Sequence, residues 1–212
     1  MVDSTAAETN EEFWEARYAG STCVWSGNPN PALVRETADL TPGRALDLGC
    51  GEGGDAIWLA RQGWQVTATD ISRTALTRAA AHAAEAGVAD RIDWQHHDLA
   101  RSFPEGSFDL VCAQFLHSRA DDMPREQILR SAAATVGPKG TLLIVGHGGV
   151  RVWEHAPEGV RLPAPQEVLG ALDLPEERWE MLVCEEYEVE TPGPEGEPVK
   201  RTDNTVKARR RA

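Results

Sequence analysis

In the stretch ALDLGCGEGGDAIWLARQGWQVTATD, residues 45–70, two acids flank a turn crowded with glycine: Asp47 precedes Gly49, Gly51 and Gly53, and Asp70 closes the run. Glycines of this kind let a backbone approach a nucleotide-like ligand closely, and an acid at the end of the following strand accepts hydrogen bonds from ribose hydroxyls. Gly49, Gly51 and Gly54 also satisfy GxGxxG, so spacing alone admits a dinucleotide. Charge separates the alternatives. Asp47 before the turn and Glu52 inside it would meet a pyrophosphate at close range in a partly desolvated site, whereas both acids suit a cationic ligand.

These residues need a strand, a turn, a helix and a second strand to hold them. Arg44 to Leu48 reads as the first strand, Ala56 to Arg61 as the helix, Gly63 as its left-handed end, and Val66 to Thr69 as the second strand. DLGCGEG followed by a strand-terminal acid is similar to motifs I and II of the class I S-adenosylmethionine-dependent methyltransferases. That cofactor carries an adenosine, a sulfonium and an α-ammonium and no phosphate, so it gains from the acids that would repel a dinucleotide. The resemblance implies that Asp47 and the backbone of Gly49, Cys50, Gly51 and Gly53 hold the methionine end, Asp70 the ribose and Asp98 with Leu99 the adenine. Ile71 and Gln114 complete the expected cofactor contacts. It also implies an α/β fold: a Rossmann-like, mostly parallel seven-stranded sheet in the order 3-2-1-4-5-7-6, with helices on both faces and a terminal hairpin.

Ahead of the turn, Glu11 opens a helical pattern carrying Phe13, Trp14 and Tyr18, and Asn30 with Pro31 starts a second helix. FWEARY, then Trp25 and NPN, resembles the cap ahead of motif I in small methyltransferases of the tellurite-resistance and thiopurine type. Its functional reading is a lid over the sulfonium and the substrate; a helix that buries Phe13 and Trp14 against the sheet edge is the alternative. Residues 1–40 are accordingly expected as an N-terminal cap, and residues 41–212 as the methyltransferase domain, in one compact unit.

Beyond Asp70, Ser72 caps an alanine-rich helix running to Glu85 and closed by Gly87, and Arg91 to His96 forms a third strand. His96 and His97 point to opposite faces of that strand, so a shared metal is not expected. FDLVCAQF is the fourth strand. Ligands bind beyond the carboxyl ends of strands in open α/β sheets, which singles out Gln114, Phe115 and His117 and leaves Asp109 as scaffold. A helix from Pro124 to Val136 is stopped by Gly137, Pro138 and Gly140, and Thr141 to Val145 is the next strand, with His147 at its carboxyl end. The loop from Val150 to Ala164, with Trp153 and His155, is the main candidate for substrate contacts, together with Trp14, Tyr18, Trp25, His117 and His147. Pro165 to Leu172 reads as a helix, and Trp179 to Val189 with Thr205 to Arg211 as the closing strands, joined by the polar PGPEGEP.

The chain has 212 residues, enough for one well-buried domain, and a formal charge of −13, which argues against a nucleic-acid footprint. Cys23, Cys50, Cys112 and Cys184 lack metal-ligand spacing, and no apolar run reaches membrane-spanning length. A cytoplasmic enzyme without a metal, acting on a small molecule and using S-adenosylmethionine, is the expectation. A soft acceptor such as a thiol is favoured. The alternatives are O- or N-methylation of a small metabolite with His117 as base, or a domain that binds the cofactor without catalysis; a dinucleotide-dependent oxidoreductase is disfavoured by the acids.

Overall fold

The computed structural model describes residues 9–117, 123–149, 162–192 and 198–212. Seven strands, β1 Arg44–Leu48, β2 Gln65–Asp70, β3 Ile92–His96, β4 Phe108–Gln114, β5 Val136–His147, β6 Trp179–Pro192 and β7 Pro198–Arg210, form one sheet. Their spatial order is β3-β2-β1-β4-β5-β7-β6, as expected. The first five run parallel and β7 is antiparallel to both β5 and β6. Among the described residues six α-helices accompany them, α1 Asn10–Ala19, α2 Pro31–Thr37, α3 Gly54–Arg61, α4 Arg73–Glu85, α5 Arg125–Thr135 and α6 Pro165–Leu172, with one short 3-10 turn at Ala89–Arg91.

A parallel sheet must be covered on both faces, and the alternation of side chains along each strand divides the core in two. Ala45, Leu110, Cys112, Leu143 and Val145 face one layer with Leu33 of α2, Ala56 and Leu59 of α3 and Ala83 of α4. Leu46, Leu48, Val111, Leu142 and Ile144 face the other, against Leu129 and Ala132 of α5 and Val168 and Leu172 of α6. Helix starts follow local chemistry. Asn30 caps α2 by accepting from the Ala32 N–H, Ser72 caps α4 through Ala75, and Thr9 with Glu12 forms a capping box on α1.

Two boundaries differ from the sequence reading. Gly137, Pro138 and Gly140 do not separate a helix from a strand beginning at Thr141, because β5 starts at Val136 directly after α5. The register shifts opposite Phe108 and Leu110. A Cβ on Gly140 would stand 2.8 Å from the Phe108 carbonyl oxygen, so this glycine permits a close backbone approach within a strand and does not end a helix. The last strand likewise begins at Pro198 and not at Thr205, which carries Arg201 and Asp203 into the sheet. Residues 193–197 of PGPEGEP, and residues 150–161 with Trp153 and His155, lie outside the described residues.

Leu33 is fully buried beneath the sheet. Leu33→Ala should destabilise the protein by about 2–5 kcal/mol in urea unfolding, as expected for a truncated core leucine; a loss under ~1 kcal/mol would show α2 to be peripheral.

Candidate active site

The carboxyl end of β1 meets that of β2 through one side chain. Asp70 accepts from the Gly51 N–H (2.9 Å) and from the Ser72 N–H (2.9 Å), so the glycine turn and the start of α4 hang on a single carboxylate. The Gly49 and Cys50 amides both donate to the Thr69 carbonyl at 2.9 Å. Gly51 and Gly53 have φ of +54° and +89°, where any side chain is strained. A Cβ on Gly51 would also lie 2.9 Å from the Tyr18 hydroxyl, which shows how tightly α1 covers the turn.

Three acids line this edge. Asp47 is buried, and its Oδ2 has no hydrogen-bond partner among the described residues. Burial, and then the charges of Asp55 and Asp70, push its carboxyl well above the usual range. Burial raises Asp70 too, against the amides that stabilise its charge, and pushes Asp55 up to about 6. Gln114, at the end of β4, has both amide atoms buried with no hydrogen-bond partner among the described residues. Such orphans are costly unless a ligand satisfies them, and the acids select a cation over a phosphate. Glu52 does not belong to this set. Expected to face the ligand from within the turn, it points away, paired with Arg78 at 2.9 Å and accepting from the Val24 and Trp25 amides, which hold its pKa down against burial.

The same Arg78 fastens the N-terminal segment, donating to the carbonyls of Tyr18 (2.9 Å) and Ser21 (2.6 Å). Glu15 of α1 accepts from Ser72 Oγ at 2.6 Å and from Thr74 at the start of α4, where the helix dipole favours an anion. Trp25 donates its indole N–H to the Tyr18 hydroxyl at 2.8 Å. Burial, together with the Asp70 charge, pushes the Tyr18 phenol upward and keeps it neutral.

On the other side of the cleft, β4 is followed by Phe115, held at φ +53°. Its ring stacks on His147 with centroids 4.3 Å apart, and the His117 ring meets His147 at 5.8 Å and Trp14 at 6.0 Å, both edge-on. His117 Nδ1 contacts the Phe115 carbonyl. His147 Nδ1 lies 3.2 Å from Asp203 Oδ1, and Asp203 Oδ2 is held by Arg201 at 2.7 Å.

Trp14, Tyr18, Trp25, His117 and His147, more than 120 residues apart in sequence at their extremes, thus converge with the glycine turn. Asp98 stands past the end of β3, accepting from the Ala100 N–H and pairing with Arg101, and Leu99 packs against the second core layer. The Ile71 carbonyl lies 2.8 Å from His96 Nε2, while His97 turns to Ser102 and Gln95. Sequence reasoning missed Asp203, Arg201, Arg78 and Glu15. The polar run RTDNT inside a strand was the one available signal for the first two.

A protein-family profile described as "Methyltransferase domain" matches residues 45–140. Over these residues the chain is similar to a methyltransferase domain. The chain is 34% identical over 116 residues to a probable tocopherol O-methyltransferase of Oryza sativa subsp. japonica, covering 54% of this chain and 31% of that protein. It is 31% identical over 108 residues to probable thiol methyltransferase 2 of Arabidopsis thaliana, covering 50% and 48%. The chain therefore spans less than half the length of these curated relatives. The structure of TehB from Haemophilus influenzae superposes with a TM-score of 0.69 at 18% identity, covering 95% of this chain and 67% of that one, which is a likeness of fold. Among the described residues of this methyltransferase fold, no helix is long and apolar enough to cross a membrane.

Asp55 supplies a pH test. Between 3.8 and about 6 the folded chain holds more protons on this group than the unfolded chain, so its contribution to stability falls as pH rises through that window. Asp55→Asn keeps an oxygen for the Asn30 N–H and cannot ionise. Relative to wild type it should gain on the order of 2 kcal/mol in urea midpoints between about pH 4 and about pH 7.5. An equal difference at both pH values would show that Asp55 ionises normally.

Proposed function

We propose that the chain transfers a methyl group from S-adenosylmethionine to a small-molecule acceptor, a thiol above all. The reading is carried by Asp47 Oδ2 and the Gln114 amide beside the glycine turn, buried polar atoms without a partner among the described residues that a cationic, hydrogen-bonding ligand would satisfy. Asp47 and the backbone of Gly49 to Gly53 would hold the methionine end, Asp70 the ribose hydroxyls and Asp98 with Leu99 the adenine. Bound there, the cofactor supplies a methyl carbon already activated by a sulfonium. The chain's own contribution is alignment and the exclusion of water.

Residues 1–40 act as the cap and 41–212 as the transferase body, with α2 anchoring the cap to the core and α1 covering the turn. The acceptor space is bordered by Trp14, Phe115, His117 and His147. Polarisable sulfur is attracted to aromatic rings, by roughly 0.3–1.5 kcal/mol per contact, which favours a thiol over a harder acceptor. The likeness to a thiol methyltransferase points the same way. Likeness to a tocopherol O-methyltransferase favours the second reading, a phenol or alcohol with His117 as its base. The formal charge of −13 suits a small acceptor better than a nucleic acid, and four free cysteines suit a reducing compartment such as the cytoplasm.

Release of S-adenosylhomocysteine should be followed with a panel of thiols, phenols, alcohols and amines. Turnover of thiols is expected; turnover of phenols alone would favour the second reading, and cofactor binding without turnover of any acceptor would favour a binding domain. Separately, Asp47→Asn should weaken S-adenosylmethionine about 10- to 100-fold by calorimetry, from the loss of a charged partner worth about 1.5–3 kcal/mol. Its thermal midpoint should hold or rise, since the amide keeps an oxygen for the Cys112 thiol and removes a carboxyl whose ionisation is disfavoured by burial. Unchanged affinity would take Asp47 out of the site.

A further inference from the structure

We propose that the cavity between α5 and α6 is a subsite for a small monocarboxylate, held by the Arg125 guanidinium. Where the carboxylate belongs to the methyl acceptor, the proposal rests on the methyl-transfer reading and deepens it; where it belongs to a free acid, the subsite stands apart from that reading.

Arg125 opens α5 close to the carboxyl ends of β4 and β5. Its Nε donates to the Leu116 carbonyl at 2.9 Å, two residues past the end of β4. Its Nη2 lies 3.5 Å from the position that a Cβ on Gly146 of β5 would take, so this glycine leaves the guanidinium its room. A guanidinium has five N–H donors, and Leu116 uses one. The four on Nη1 and Nη2 have no acceptor among the described residues. Glu126, the neighbouring carboxylate, is 70% exposed and lies 3.8 Å from Arg130 instead. Burial pulls the Arg125 pKa down, with the Glu126 charge opposing it. Arginine does not shed its proton in a protein, so the site holds a desolvated positive charge that an anion would compensate.

That charge lines a cavity of about 280 Å³. Leu129 of α5 and Val168 and Ala171 of α6 give it apolar walls, and the exposed Glu126 and Glu167 also line it. The walls are tied together: Arg130 donates to the Ala171 carbonyl at 2.8 Å, and Asn204 of β7 donates to the Pro163 carbonyl at 3.0 Å. Sites for drug-sized ligands run from roughly 300 to 1,000 Å³, so the occupant here is small.

The chemistry selects among small anions. The Nη1 and Nη2 donors form a planar fork that matches the two oxygens of a carboxylate, which a point charge would not do. A carboxylate brings one negative charge, whereas a phosphate brings more and would meet Glu126 and Glu167 at short range. The apolar walls suit a hydrocarbon body. Leu116, whose carbonyl Arg125 holds, stands between Phe115 and His117, which border the acceptor space. One side chain therefore touches both the cavity and the segment beside the acceptor.

The test uses the full chain in calorimetry with 3-phenylpropionate, its neutral counterpart 3-phenylpropionamide, and inorganic phosphate. The acid should bind at least about tenfold more tightly than the amide or phosphate, and Arg125→Gln should weaken it about 10- to 100-fold, with Arg125→Lys intermediate because it keeps the charge and loses the fork. Ala171→Leu is the independent check, since Arg125 also holds Leu116. It fills the cavity from α6 with the guanidinium intact, and should erase the difference between acid and amide while the thermal midpoint holds. Assays of 3-mercaptopropionate against 3-mercaptopropionamide as methyl acceptors separate the two sources. A preference for the acid in kcat/KM, carried by KM and lost in Arg125→Gln, places the carboxylate on the acceptor; binding without that preference assigns the subsite to a free acid. Equal affinity for acid and amide, equal affinity for acid and phosphate, or an acid affinity unmoved in both Arg125→Gln and Ala171→Leu would overturn the proposal. Absence of any calorimetric heat with S-adenosylmethionine would instead overturn the methyl-transfer reading, while the 3-phenylpropionate titration still decides the subsite.

Discussion

The carboxylate of Asp70 is the joint of this structure. Two buried amides, from Gly51 and Ser72, converge on it, and each would be an unsatisfied donor in its absence. The turn after β1 has left-handed backbone at three glycines and no side-chain cap on α3, so it has little internal means of holding its shape. Its conformation is imposed from β2. Through Ser72 the same carboxylate sets where α4 begins, and through α4 it sets the seats for Glu15 and Arg78, which fasten the N-terminal segment.

Around that joint the protein accumulates an electrostatic debt of one sign. Asp47, Asp55 and Asp70 are all raised by burial, and Asp55 and Asp70 also disfavour the ionisation of Asp47, while Glu52, close by in sequence, is paired with Arg78. The difference is one of direction. Arg78 reaches the outer side of the turn, where it stabilises the cap, and no cation among the described residues partners Asp47 on the inner side. A ligand carrying positive charge would relieve what the fold leaves unbalanced on that side.

The opposite wall of the cleft has a different origin. The parallel strands supply Gln114, Phe115 and His117 from β4 and His147 from β5, but the partner that gives His147 a chemical character arrives on β7, running the other way. An antiparallel neighbour places its residue directly opposite, so one register step would exchange Asp203 for Thr202 or Asn204. The hairpin therefore holds a residue of the cleft wall as well as closing the sheet edge.

Much of the fold was readable because its signals are local. The strand at Arg44–Leu48, the cap at Ser72, the left-handed Gly63 and Gly87, and the acid at Asp70 each follow from a few neighbouring residues. The start of β5 was not readable, because Gly137 and Gly140 have the same composition as a helix stop and are explained only by the Phe108 backbone against which they pack. For the site, the sequence by itself determined the glycine turn and the acids that flank it: glycine spacing and acids act through backbone shape and charge, which a contiguous stretch can encode. The tertiary structure alone decided which acids are buried beside the turn, that Glu52 belongs to Arg78, and that His147 meets Asp203, because these depend on pairings across 26 and 56 residues that only strand register and helix packing bring within reach.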